Sequence, residues 1–347
     1  MHVFQVATPF STGTGIYLPG ADLLVTNEHV VRENASVVVT GPKLEEQLAR
    51  VVYLDPFYDL AFLRLEAPLD RTAVSILSTL PAVGTPVLSV GQRFGEPART
   101  ASGQVAVEEY RRHGIPYLAH DAREGSTLAG SGLYTEAGEL AGINMLDDPE
   151  SEERSLALPA PLVLEILEAF AAGEGSPAAR CFACQRVTFE SGRRLPERCP
   201  HCGGELTLPS TVEDVAPTGV NATIEEILRV AGHDPRLARR GPNLWSIRQG
   251  SASIQVAYHE ESGLVTGDAY LCQVPEAPSA ELFEYLLREN TKTRQLTFST
   301  YGRDIILSLL IYDRYLTVET ALPRFEYLFE QADAYDNVLV EEYGAGW

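Results

Sequence analysis

An imidazole and, thirty residues further on, a carboxylate stand against apolar runs in this 347-residue chain, a pairing with the means to move a proton. His29 closes the stretch Leu23-Leu24-Val25-Thr26-Asn27-Glu28-His29, and Asp59 opens directly onto Leu60-Ala61-Phe62-Leu63-Arg64-Leu65. A general base has to sit at the end of a rigid strand so that its ring meets the reacting group from a fixed direction. A carboxylate desolvated against a strand can accept the imidazole N–H, fix the tautomer and stabilise the imidazolium that forms. Asp59 suits that part better than Asp55, which precedes Pro56 in a predicted turn. Each residue alone has a plainer explanation, a satisfied structural histidine and a turn-forming aspartate.

A second group of side chains has metal-ligand spacing. Four of the five cysteines fall in two C-x-x-C pairs, Cys181 with Cys184 and Cys199 with Cys202, fourteen residues apart. Such pairs can close a tetrahedral thiolate site, each on a tight knuckle where glycines let backbone N–H groups approach the sulfurs. The segment resembles a zinc ribbon, which implies a structural Zn2+ held by Cys181, Cys184, Cys199 and Cys202, with His201 outside the ligand set. Two disulfides are the alternative, and the knuckle spacing argues against them. So short a segment has no core of its own, so metal binding is expected to supply most of its stability.

The elements that must hold the histidine and aspartate are strands. Thr14 to Leu18 and Leu23 to Val25 are apolar runs about Pro19-Gly20, a hairpin signal. Downstream come Gly125-Ser126-Thr127-Leu128-Ala129-Gly130-Ser131-Gly132-Leu133 and then Gly142-Ile143-Asn144. Together with the His29 and Asp59 segments, these resemble the trypsin-like serine proteases of the HtrA and glutamyl-endopeptidase type. The resemblance implies an all-β double barrel and a catalytic triad. Aligning backward from Gly142-Ile143-Asn144, or forward from Asp121-Ala122, places the nucleophile on residue 129, where this chain has alanine.

Three explanations compete for Ala129. The first is a serine-to-alanine inactivated form, which leaves every supporting residue in place. The second is a natural pseudoprotease, an adaptor that binds peptides without cutting them. Thr127 lends that some weight, because the family usually has glycine there to turn an amide toward the oxyanion beside the amide of residue 129. The third makes Ser131 or Ser126 the nucleophile, although a loop hydroxyl accounts for either. Arg123, six residues before position 129, could favour an acidic substrate side chain, and is expected instead to point to solvent.

Composition bounds the remainder. Forty-eight acidic against 27 basic residues give a formal charge of −21, which opposes binding to nucleic acid or an anionic membrane. Residues 1–7 lack a basic stretch followed by a long apolar core, and no window reaches membrane-spanning length, so a cytoplasmic location and no membrane contact are expected.

Three regions emerge: a protease domain over 1–172, closed by a helix at 161–170; a linker and zinc ribbon over 173–209; and an α+β domain over 210–347. In the last, the pattern predicts a helix at 222–231, strands at 245–248, 252–259 and 264–272, a helix at 280–290, strands at 295–301 and 304–312, and a helix at 318–331 before an acidic tail. Cys272, Trp245 and the tyrosines at 258, 270, 301 and 312 are assigned to sheet packing. This order resembles the type III secretion chaperone-like fold and the YbjN family, which implies an interaction module able to engage a regulatory protein partner and compatible with a homodimer. The expected whole is an intracellular serine endopeptidase for regulatory cleavage of a protein or peptide substrate.

Overall fold

The computed structural model describes residues 2–42, 44–71, 73–92, 98–123, 129–145, 154–192, 195–214, 216–250, 252–277 and 279–346. The chain forms two compact units, Met1–Val215 and Ala216–Trp347.

The first unit begins with β1 (Val3–Ala7), β2 (Thr12–Leu18), β3 (Leu23–Thr26), a one-turn helix α1 (Glu28–Val31), β4 (Ser36–Gly41), β5 (Leu44–Asp55) and β6 (Leu60–Leu65). Their order is β5-β4-β1-β2-β3-β6, and β6 pairs back onto β5 to close a six-strand antiparallel barrel. A second closed barrel follows from β7 (Pro86–Gly91), β8 (Arg99–Arg112), β9 (Ile115–His120), β10 (Gly132–Thr135), β11 (Leu140–Asn144) and β12 (Ser155–Pro159), in the order β10-β11-β12-β9-β8-β7. Helix α2 (Ala160–Ala171) closes it, close to the expected span.

Strands here read as continuous apolar runs because both faces are buried. Along β6, Ala61, Leu63 and Leu65 turn into the first barrel beside Phe4, Val6 and Leu24. The alternate residues, Leu60 and Phe62, join Val3, Ile16, Ile143, Leu158 and the α2 residues Val163, Ile166 and Phe170 in a core shared by both barrels. Strand periodicity thus sorts one run into two cores. Each large apolar side chain so buried is worth roughly 1.5–3 kcal/mol, and the shared core fixes one barrel against the other.

The cysteine segment is not a separate body. Strands β13 (Ala178–Arg180) and β14 (Val187–Phe189) form a hairpin, and β13 adds in parallel to the end of β5 through Ala178↔Tyr53 and Ala179↔Leu54. Ala179 and Leu208 are buried in the core of the first barrel. The segment over 173–209 lies within the compact unit Met1–Val215, where it completes a sheet edge.

The second unit carries α3 (Gly219–Val230), α4 (Pro235–Ala238), β15 (Leu244–Gln249), β16 (Ala252–His259), β17 (Leu264–Gln273), α5 (Ala280–Glu289), β18 (Leu296–Tyr301), β19 (Asp304–Tyr312) and α6 (Val318–Tyr343). Its sheet runs β15-β16-β17-β19-β18, all antiparallel. Two expectations are corrected. Helix α4 was missed, although Asp234 caps it by accepting the Arg236 N–H and Pro235 opens it. Helix α6 passes the expected stop at 331, because Ala332 and Leu339 carry the buried stripe on until Gly344, whose φ of 67° ends it. Among the described residues no helix is long and apolar enough to cross a membrane.

Candidate active site and cysteine centre

Helix α1 and the turn between β5 and β6 hold the His29–Asp59 pair. The His29 Nδ1 lies 2.7 Å from Asp59 Oδ2, and the His29 backbone N–H donates to Asp59 Oδ1 at 2.9 Å. Both carboxylate oxygens are therefore spent on one residue. Since a carboxylate only accepts, Nδ1 carries the proton and Nε2 is left as the basic nitrogen. Both side chains remain about a quarter exposed, so the pair faces an open cleft. Asp59 adopts φ +50°, a left-handed conformation that only its surroundings sustain.

Asn27 is a supporting residue that sequence reasoning overlooked. It is fully buried, and its amide donates to the Asp59 carbonyl at 3.0 Å and touches Met145 Sδ at 3.5 Å. It thus links the aspartate turn to the second barrel. Tyr117, from β9, has its phenol pKa raised by burial and further by the nearby Asp59 charge, which places the second barrel beside the pair.

Ala129 packs in the cluster that contains Val30 and Val31, the two residues after His29. Its carbonyl accepts the Thr14 N–H at 2.8 Å. Gly130 follows at φ +78°, where a Cβ would fall 2.1 Å from the Thr14 carbonyl oxygen, so the chain can pass between β2 and β11 only as glycine. The Gly130 N–H donates to the Asn144 carbonyl at 3.1 Å. Asn144 is buried, and its side-chain amide donates to Ser131 Oγ and Ser89 Oγ, each at 2.9 Å, while its oxygen meets His120 Nε2 at 2.9 Å. Ser131 is accordingly a buried structural hydroxyl, which removes it from the candidates for nucleophile. Thr127, proposed for the oxyanion site, and Ser126 lie outside the described residues. Arg123, expected to point to solvent, is half-buried and interacts with the surrounding chain.

The four clustered cysteines converge from two knuckles. Cys181 Sγ and Cys202 Sγ are 3.6 Å apart, Cys184 Sγ and Cys199 Sγ 3.7 Å, and all four sulfurs lie within 4.8 Å of one another. A disulfide needs about 2.05 Å, whereas four thiolates at about 2.3 Å from one ion stand about 3.8 Å apart. The two knuckles are built alike. The Gln185 N–H donates to the Cys181 carbonyl and the Gly203 N–H to the Cys199 carbonyl, both at 2.8 Å, with φ of 61° and 76° at the donors. Cys272 lies apart, buried in the second unit.

Residues 13–143 match the family described as the trypsin-like peptidase domain. The periplasmic serine endoprotease DegP of Salmonella typhimurium is 32% identical over 146 residues, which cover 38% of this chain and 29% of DegP. The serine endoprotease DegS of Escherichia coli K12 is 26% identical over 169 residues, 45% of this chain and 47% of DegS. The chain thus spans less than half the length of these curated relatives. A crystal structure of the serine endoprotease from Yersinia pestis is similar with a TM-score of 0.45 and 23% identity, covering 50% of this chain and 64% of that one. These findings overturn the cytoplasmic expectation, since the DegP relatives are periplasmic. That expectation leaned on residues 1–7, and the composition of so short a stretch does not decide the compartment of a domain.

Proposed function

We propose that the chain is a serine endopeptidase acting on protein substrates, with residue 129 at the nucleophile position and the alanine there making the present form a binder of substrate rather than a cutter. The observation that carries this is the 2.7 Å His29–Asp59 pair on a helix whose next two residues pack with Ala129, within a segment matching the trypsin-like peptidase domain. With serine at 129, the hydroxyl attacks the scissile carbonyl, His29 Nε2 takes its proton and later hands it to the leaving amine, and Asp59 holds the imidazolium. The amides of residues 129 and 127 would receive the oxyanion. Losing the hydroxyl removes nearly all turnover while leaving binding in place.

The test is Ala129→Ser followed by reaction with a fluorophosphonate probe. Covalent labelling that disappears on adding His29→Ala supports the peptidase. No labelling supports the second reading, an adaptor that keeps the cleft and has no nucleophile, which Ala129 itself favours. Within the same proposal, Cys181, Cys184, Cys199 and Cys202 hold a structural Zn2+. Such a site has no open coordination position and does no chemistry. Elemental analysis showing one zinc per chain, lost in Cys184→Ser, supports it, and metal-free protein of native fold excludes it. We assign the second unit, with its chaperone-like order of elements, to recognition of a protein partner or of a second copy. Cleavage would then serve regulation rather than bulk degradation. An Ala129→Ser form of residues 1–215 that cut the same targets at the rate of the whole chain would refute that assignment.

A further inference from the structure

Arg180 stands immediately before the first knuckle cysteine and reaches in two directions. Its Nε donates to Asp55 Oδ2 at 2.6 Å, and its Nη1 donates to the Gln185 carbonyl at 2.7 Å. Its guanidinium also lies 5.2 Å from the centre of the Tyr58 ring. Gln185 is the left-handed residue that closes the knuckle around Cys181 and Cys184. Phe182, inside the same knuckle, places its ring 6.0 Å from that of Phe57. One knuckle therefore grips Asp55, Phe57 and Tyr58, three residues of the turn that ends at Asp59.

Asp55 is the fixed point of that turn. It is fully buried, and besides Arg180 it accepts the Tyr53 hydroxyl at 2.8 Å and the Tyr58 N–H at 3.1 Å. Buried carboxylates persist where a cation and hydrogen bonds compensate their lost hydration. Four residues on, Asp59 holds its left-handed backbone, a conformation retained only where surrounding contacts over-determine it. A cavity of about 270 Å³ bounded by Glu28, Arg32, Pro56, Arg180, Phe182 and Leu206 lies beside the turn, so a turn freed from Arg180 has space to move into.

We propose that Arg180 is a positioning residue for the His29–Asp59 pair, and that it holds the Asp59 turn in place only while the four cysteines are tied together. The four-cysteine centre is then a clamp whose release, by metal loss, loosens the turn that carries Asp59. This rests on the metal and the catalytic pair assigned above, and it adds a link between the two sites. The chemistry is local. An untied knuckle lets the Gln185 carbonyl leave Arg180, and an unanchored guanidinium no longer fixes the Asp55 carboxylate.

The test uses the full chain with alanine at 129, so that it does not depend on turnover. Its readouts are the downfield imidazole N–H resonance of His29, assigned by its loss in Asp59→Asn, and amide hydrogen exchange over residues 56–60. Arg180→Ala is expected to retain zinc and the circular dichroism of the parent, to broaden or remove that resonance, and to speed the exchange at least tenfold. Arg180→Lys, which restores a cation beside Asp55, recovers part of both. Stripping zinc from the unchanged chain with a chelator reproduces the Arg180→Ala changes and adds nothing further at 56–60 in that variant. In the Ala129→Ser background, kcat falls on the order of 10- to 100-fold with KM unchanged. An unaltered resonance and unaltered exchange in Arg180→Ala overturn the proposal. If that variant does not fold, Arg180→Lys and chelation of the unchanged chain decide it, and parent-like exchange in both overturns it. Absence of probe labelling in Ala129→Ser, with the His29 resonance still responding to Arg180, would sink the peptidase and leave the clamp standing.

Discussion

At the scale of single residues, the candidate site is defined by groups that have no alternative. Asp59 spends both oxygens on His29, and Gly130 threads past a carbonyl that no side chain could share space with. Gly130→Ala should therefore lower the stability of the first unit by roughly 2 kcal/mol or more, read as a shift in the urea midpoint at constant slope. A parent-like midpoint would mean that the strand crossing is looser than its geometry. Cys272 offers a contrast to the clustered thiols. Burial, with some help from the Asp336 charge, pushes its pKa up to about 12, so at pH 8 it stays protonated and covered. Iodoacetamide should leave it unmodified in the native protein and alkylate it once the chain is unfolded. Modification at the native rate of an exposed thiol would contradict its place in the core.

At the scale of elements, polar pairs decide how secondary structures meet. The clearest case outside the cleft joins α3, α4 and β15. Arg239 donates to both oxygens of Glu225 at 2.6 and 2.8 Å, and the Trp245 indole N–H donates to the same carboxylate at 3.2 Å. Both side chains are nearly enclosed, at 4% exposure for Glu225 and 11% for Arg239. Arg239→Met leaves a buried carboxylate without its cation and should cost the second unit about 3–5 kcal/mol. The double change Glu225→Leu with Arg239→Met should recover most of that loss, because apolar packing replaces both charges at once. Urea titrations of the two variants, compared with the parent, measure the difference.

At the scale of the whole molecule, autonomy follows the cores. Among the described residues, the buried core of the second unit is drawn from residues 224–345, so residues 216–347 expressed alone should fold cooperatively with parent-like circular dichroism. The first unit does not end where its second barrel ends. Cutting at 172 removes β13 from the end of β5, uncovers Leu54 and takes the Arg180 guanidinium from the buried Asp55. Residues 1–172 should accordingly melt roughly 5–10 °C below residues 1–215, and aggregate more readily through the opened edge. Equal melting points would show that the cysteine segment is an ornament on the barrel.

Much of this was legible in the chain itself, and for local reasons. His29, Asp59, the glycines after residue 129 and the paired cysteines are read from residue type and spacing, and alternation in 252–259 and 304–312 marks strands that the structure returns with the same ends. The sequence could not show that Asp55, set aside as a turn residue, is the buried anchor of Asp59's turn, nor that Asn27 ties that turn to Met145 of the second barrel while Asn144 pins Ser131 within it. Those roles depend on partners 13 to 125 positions away, brought together by barrel closure and by β13 docking on β5. Spacing along a chain specifies which groups can react. Which of them are held, and by what, is decided when strands far apart in sequence share an edge.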